Sequence, residues 1–134
     1  ARLMMEQEPA QNFDVLILDA FSGDAVPVHL LTSEAMQIYT RHLRPEGVLC
    51  VHISNLHFDL EPVVRGLAEE AGLSARAHLS DPQADPGAMQ ARWMVVARDA
   101  ATLDAILGAR AHTLDQERLI HWTDDRSNLL QVLR

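Results

Sequence analysis

Apolar residues recur along this chain with two different periods, and the switches between them lay out an alternating order of strands and helices. The run Val15-Leu16-Ile17-Leu18 holds four branched aliphatics with no polar residue between them. That is the pattern of a strand covered on both faces, as in a parallel sheet between helix layers. With Phe13 and Asp14 ahead of it, a strand is predicted over 13–18, stopping at Asp19 and a turn around Gly23. Thr32 and Ser33 then offer N-cap hydroxyls, and Met36, Tyr39 and Leu43 fall at helical spacing, so a helix is predicted over 32–43, ended by Pro45-Glu46-Gly47. A second buried strand follows over 48–53. Asp59 is placed to cap a further helix over 60–71, in which Leu60, Val63, Val64, Leu67, Ala68 and Ala71 keep one face and Gly72 is the closing glycine.

Beyond Gly72 the period changes. Residues 73–79 alternate loosely, Asp81 to Gly87 is a loop of turn formers, and Trp93 to Ala97 is another apolar run within a strand predicted over 92–98. Two strands joined without a helix run antiparallel. A short helix is predicted over Ala101–Leu107, followed by a tail that contains Trp122-Thr123-Asp124-Asp125 and Ser127-Asn128-Leu129-Leu130. The expected fold class is therefore α/β, three-layered and Rossmann-like, with a mostly parallel sheet ending in an antiparallel hairpin. One domain over 1–134 is expected, with a core over 13–98 and a C-terminal helix and tail over 99–134.

Composition narrows the function classes. A chain of 134 residues, 48% hydrophobic, suits one domain with a real core. Its net charge of −8 disfavours nucleic acid or an anionic membrane surface as partner and favours cationic ligands. No apolar run has the length of a transmembrane helix and no signal peptide pattern is present, so a cytoplasmic setting is expected. The single cysteine, Cys50, lies in Val48-Leu49-Cys50-Val51 and reads as a small buried apolar residue in a reducing compartment. The histidines show no i, i+4 pair with an acid and no cysteine partner, so no metal site is expected. Trp93 reads as core, Trp122 as a residue packing the tail over the sheet, and Glu69-Glu70 and Asp124-Asp125 as solvated charge pairs.

The candidate chemistry sits at strand ends. In open α/β sheets ligands bind at the carboxyl edge, which is where Asp19 falls; the competing reading of Asp19 is a turn-forming residue before Gly23. His52 and His57 flank Ser54-Asn55 at the end of the next strand and either touch a ligand, face solvent or are satisfied by a backbone carbonyl.

Taken together, Phe13-Asp14-Val15-Leu16-Ile17-Leu18-Asp19, the helix start Leu31-Thr32-Ser33-Glu34, and Leu43-Arg44-Pro45-Glu46-Gly47-Val48-Leu49 resemble the polyamine aminopropyltransferases, the spermidine synthase family, which share the fold of S-adenosylmethionine-dependent methyltransferases. Ala1-Arg2-Leu3 and the tail from Trp122 to Leu130 extend the resemblance to nearly the whole chain. It implies that Asp19 is the first acid of the family's Asp-Ser-Ser-Asp or Asp-Ser-Thr-Asp signature, which orients and deprotonates the attacking amine. The second signature acid falls on Ser22, and Asp24 is the carboxylate that could reach the same space; both are expected to bind substrate. Asp19, Ala20 and Phe21 are the part expected to meet the nucleoside. A family tyrosine before the last strand is replaced by Ala84-Asp85-Pro86-Gly87.

The family's glycine-rich turn and the acid after its second strand have no counterpart here. A nucleotide site needs such a turn for close backbone approach. The chain is therefore expected to be the C-terminal part of a longer domain and to hold no cofactor by itself. In the full-length protein, decarboxylated S-adenosylmethionine or S-adenosylmethionine would be the co-substrate, with a small-molecule amine as the other partner. A homo-oligomer is expected, and some proteins of this kind carry membrane segments ahead of the domain. The alternatives are a non-catalytic ligand-binding or interaction domain of a larger protein, or an S-adenosylmethionine-dependent methyltransferase.

Overall fold

Phe13–Leu18 forms strand β1 in the computed structural model of the chain, which describes residues 2–20, 26–81, 83, 89–108 and 118–134. β1 lies parallel to β2, Leu43–His52, with Val15 opposite Val48 and Leu18 opposite Val51. Parallel neighbours need a crossover, and here it contains helix α2, Ser33–His42, whose N-cap Thr32 accepts a hydrogen bond from the Ala35 N–H at 3.2 Å. The sequence pattern starts the second strand at Val48, whereas the strand begins at Leu43, directly after α2. The pairing of β2 on its other side begins only at Leu49, so Pro45 occupies a stretch with one open edge, where its missing N–H breaks no ladder. Gly47 is required by close approach: a Cβ there would stand 2.5 Å from the Phe13 carbonyl oxygen.

Helix α3, Glu61–Glu70, follows. Asp59 does not cap it: the N-cap is Leu60, with no side-chain hydrogen bond, and Asp59 turns instead toward arginines described below. Gly72, at φ +71°, closes α3 with the paired bonds of a Schellman turn, Gly72 N–H to Glu69 O at 3.0 Å and Leu73 N–H to Ala68 O at 2.8 Å. β3, Ser74–Leu79, and β4, Arg92–Ala97, then complete a four-stranded sheet of order β1-β2-β4-β3, with β4 antiparallel to both its neighbours. Helix α4, Ala100–Leu107, is capped by Asp99, whose carboxylate accepts from the Thr102 N–H at 2.7 Å. A six-residue helix over Arg2–Gln7, α1, was not predicted; it buries no residue of its own and is held by polar contacts to α2. Those include Arg41 Nη2 and His42 Nε2, both donating to the Met5 carbonyl, at 2.5 Å and 2.7 Å.

α2, α3 and the tail cover one face of the sheet. Met36, Tyr39, Leu49, Val51, Leu67, Met94 and Trp122 are buried between these layers, and Trp122 gives its indole N–H to Gln131 Oε1 at 3.3 Å. α4 covers part of the other face, where Leu103 packs with Val48, Val95 and Ala97. Cys50 borders that cluster and is half-buried, not fully buried as its neighbours suggest, because α4 reaches only part of this face. Nor are both faces of β1 covered: Leu16 and Leu18 pack on the core, while Val15 and Ile17 are 52% and 62% exposed. No helix among the described residues is long and apolar enough to cross a membrane.

Candidate functional site

Because β1 and β2 are parallel and in register, they finish side by side, and the residues that leave them share one edge. Asp19, the first residue beyond β1, accepts a hydrogen bond from His52 Nδ1, at the end of β2, at 2.7 Å. A carboxylate only accepts, so the contact places the ring proton on Nδ1. Nε2 then remains an acceptor in the neutral ring; it is buried and has no hydrogen-bond partner. The Asp19 side chain is 54% exposed and the His52 side chain 15%. An open carboxylate thus stands in front of a mostly buried imidazole.

Trp93 fixes that imidazole from the neighbouring strand. It is the cross-strand partner of His52, and the two rings stack with centroids 4.6 Å apart and planes 25° from parallel. Trp93 is therefore half-buried against His52, not the core residue that its apolar run suggests. The loop after β2 is shaped by its own polar side chains: Asn55 Oδ1 accepts from the His57 and Phe58 N–H groups at 2.9 Å and 3.0 Å, and Ser54 Oγ accepts from the Arg92 N–H at 2.8 Å. These residues wall a cleft of about 570 Å³ that His52, Ser54, Asn55, Leu79, Arg92 and Arg134 help to line.

Of the residues the sequence singles out, Asp19 lies at the sheet edge as expected and Ala20 follows it, exposed. Phe21, Ser22 and Asp24 lie outside the described residues, as does the Ala84 to Gly87 loop. His52 joins Asp19, whereas His57 enters the loop through its backbone. Missed by sequence reasoning is the charge cluster beside the cleft. Arg92 Nη2 meets Glu61 Oε2 at 2.7 Å, Arg65 meets the other Glu61 oxygen at 2.6 Å, and Arg92 and Arg134 stand 3.8 Å and 3.9 Å from Asp59 Oδ1. Arg92 and Glu61 are 31 positions apart, so only the folded sheet joins them. Among the described residues no three metal-ligating side chains come together as an ion site.

A second charge network lies elsewhere and is structural. Arg2 grips Asp124 with two N–H groups at 2.7 Å and 2.5 Å, and Thr32 Oγ1 donates to the same carboxylate at 2.8 Å. The Arg2 hydrogen bond holds the Asp124 carboxyl down at about 2. The same hydrogen bond raises the Arg2 guanidinium. Asp124 is thus a clasp between the tail, α1 and the start of α2, not a solvated charge. Glu70 likewise accepts from Ser33 Oγ at 2.6 Å. Burial pushes the Tyr39 hydroxyl up to about 12 and raises the Cys50 thiol, which makes both inert at neutral pH.

No family model matches the chain, and no curated protein matches it. Solved structures do. MnmC2 from Aquifex aeolicus superposes with a TM-score of 0.51 at 20% identity, over 75% of this chain and 28% of that one. A probable spermidine synthase from Corynebacterium glutamicum gives 0.51 at 20% identity, over 90% of this chain and 51% of that one. The chain thus spans about half of one relative and about a quarter of the other. At such identities the likeness concerns the fold: this chain is a mixed α/β half-domain of the Rossmann-like type found in S-adenosylmethionine-dependent methyltransferases and spermidine synthases.

Proposed function

We propose that this chain is the acceptor-side half of a transferase that moves an aminopropyl group from decarboxylated S-adenosylmethionine to an amine. The observation that carries the reading is the Asp19 carboxylate, open at the carboxyl edge of the sheet and held by His52 Nδ1 at 2.7 Å. A carboxylate there attracts the acceptor's ammonium, which gives one proton to solvent to become the neutral amine, and it then accepts the N–H proton released as that amine attacks. The nitrogen lone pair forms the bond to the aminopropyl carbon as the carbon–sulfur bond breaks. The electron pair of that bond stays on sulfur, which becomes a neutral thioether, and the N–H proton passes to Asp19. No covalent intermediate on the protein is needed.

The His52 hydrogen bond gives this base a fixed orientation, because its own ring is wedged against Trp93. A side chain held in this way loses little freedom when substrate arrives. The sulfonium donor would be held largely by residues other than these, since the glycine-rich turn that grips such nucleosides has no counterpart in this sequence. The lone, half-buried Cys50 suits a reducing cytoplasm.

The product identifies the reaction. Full-length protein carrying this chain, incubated with decarboxylated S-adenosylmethionine and an amine, should release 5′-methylthioadenosine. Turnover of S-adenosylmethionine to S-adenosylhomocysteine instead would assign methyl transfer, which the same fold supports.

A further inference from the structure

The cleft beside His52 carries cationic side chains where a diamine-binding site would carry acids. Arg92 and Arg134 both line it, and with Arg65 they crowd two carboxylates, Asp59 and Glu61. Glu61 is 6% exposed and is gripped by two guanidinium groups at 2.6 Å and 2.7 Å. Asp59 Oδ1 sits 3.8 Å and 3.9 Å from Arg92 and Arg134, too far for a hydrogen bond, so Arg134 meets this acid by charge alone. Among these side chains three cations share two anions. The Arg134 side chain remains 42% exposed at the cleft. Apolar side chains also line it: Leu56 is 85% exposed, Met89 89% and Leu79 40%.

We propose that the acceptor is an amino acid-type molecule, with an amine at one end, a carboxylate at the other and a short methylene chain between them. This rests on the reading of Asp19 as the amine's partner. The amine meets Asp19, the hydrogen-bond partner of His52, and His52 lines the cleft. The carboxylate meets Arg134 and the edge of Arg92, for which planar guanidinium groups are well suited. The methylenes lie along Leu56, Leu79 and Met89. A diamine would instead bring a second ammonium up to the arginines, a repulsion that selects against it.

Amide chemical-shift titration of the protein with 5-aminopentanoate and with 1,4-diaminobutane tests this. The expected result is that 5-aminopentanoate shifts the Leu79, Arg92 and Arg134 amides and binds at least ~10-fold more tightly than the diamine, the scale of one charge-assisted contact. Arg134→Gln should remove that preference and Arg134→Lys should keep part of it. Equal or tighter binding of the diamine, a preference that survives Arg134→Gln, or no shift with either compound at millimolar concentration would overturn the proposal. Asp19→Asn separates the two readings: if the carboxylate preference persists while amine binding is untouched by this change, the arginine subsite stands and Asp19 is not the amine's partner.

Discussion

His52 Nδ1 and Asp19 Oδ1 are 2.7 Å apart although the residues are separated by 33 positions in the chain. Their meeting follows from the parallel register of β1 and β2, which sets the two strand ends level. The contact fixes the tautomer, since only an Nδ1 proton satisfies the carboxylate. Nitrogen NMR of the imidazole should therefore report the proton on Nδ1 in the native chain. Asp19→Ala should release the ring to favour the Nε2 proton; an unchanged tautomer in that variant would show that something other than Asp19 orients His52.

The Arg2–Asp124 clasp makes a pH prediction whose sign is fixed by its direction. The Asp124 carboxyl is lowered from 3.8 to about 2, chiefly by the Arg2 hydrogen bond. A depressed acid stabilises the fold above its unfolded value and loses that contribution as pH falls through its folded value. The stabilisation is thus present above pH ~4 and fades between about 4 and 2. With Asp124 41% exposed, solvent screening limits it to about 1 kcal/mol. The melting temperatures of native chain and Asp124→Asn should differ at pH 6 and converge toward pH 2. A gap that stays constant over that range would contradict the assignment.

Gly66 and Gly72 are both helix glycines with opposite reasons. A Cβ on Gly66 would lie 2.4 Å from the Ile120 carbonyl oxygen, so the tail can seat on α3 only over a bare backbone. Gly72 has open space around it but needs φ +71°. Gly66→Ala should cost roughly 1–3 kcal/mol by overpacking. Gly72→Ala should cost about 1 kcal/mol from backbone strain alone. Urea midpoints check both; a Gly66→Ala as stable as the native chain would mean that the tail can shift freely.

Much of the fold is legible because periodicity is a local signal. The α3 stripe from Leu60 to Leu67, the Thr32 cap and the Gly72 stop each rest on residues a few positions apart, and each is present in the structure. The antiparallel β4 was readable too, from a connection without a helix. Failures arose where a distant partner decides. Asp59 reads locally as a cap, yet Arg92 and Arg134 draw it away. Asp124 reads as solvated, yet Arg2, 122 positions earlier, claims it. Of the site, Asp19 and its edge were legible, while the arginine cluster was not, since nothing in the spacing of 59, 61, 92 and 134 links them.

β1 combines an open sheet edge with exposed Val15 and Ile17 on its uncovered face. No lysine or proline lies within Phe13 to Leu18 to blunt that edge. The 134-residue chain should therefore self-associate through this strand. Light scattering should show a mass above that of one chain, and Ile17→Lys should return it to a monomer. A monomer at high concentration, with fast amide exchange along β1, would contradict this.

In the proposed reaction Asp19 takes the acceptor's proton during aminopropyl transfer. The most direct test is the steady-state rate of 5′-methylthioadenosine release by full-length protein carrying this chain, native against Asp19→Asn, with 5-aminopentanoate or 1,4-diaminobutane as acceptor. Release by the native protein is expected, with a kcat lower by roughly 10²-fold or more in the variant, the scale of a positioned general base. Release at an undiminished kcat in Asp19→Asn, or none from the native protein with either acceptor, would contradict it.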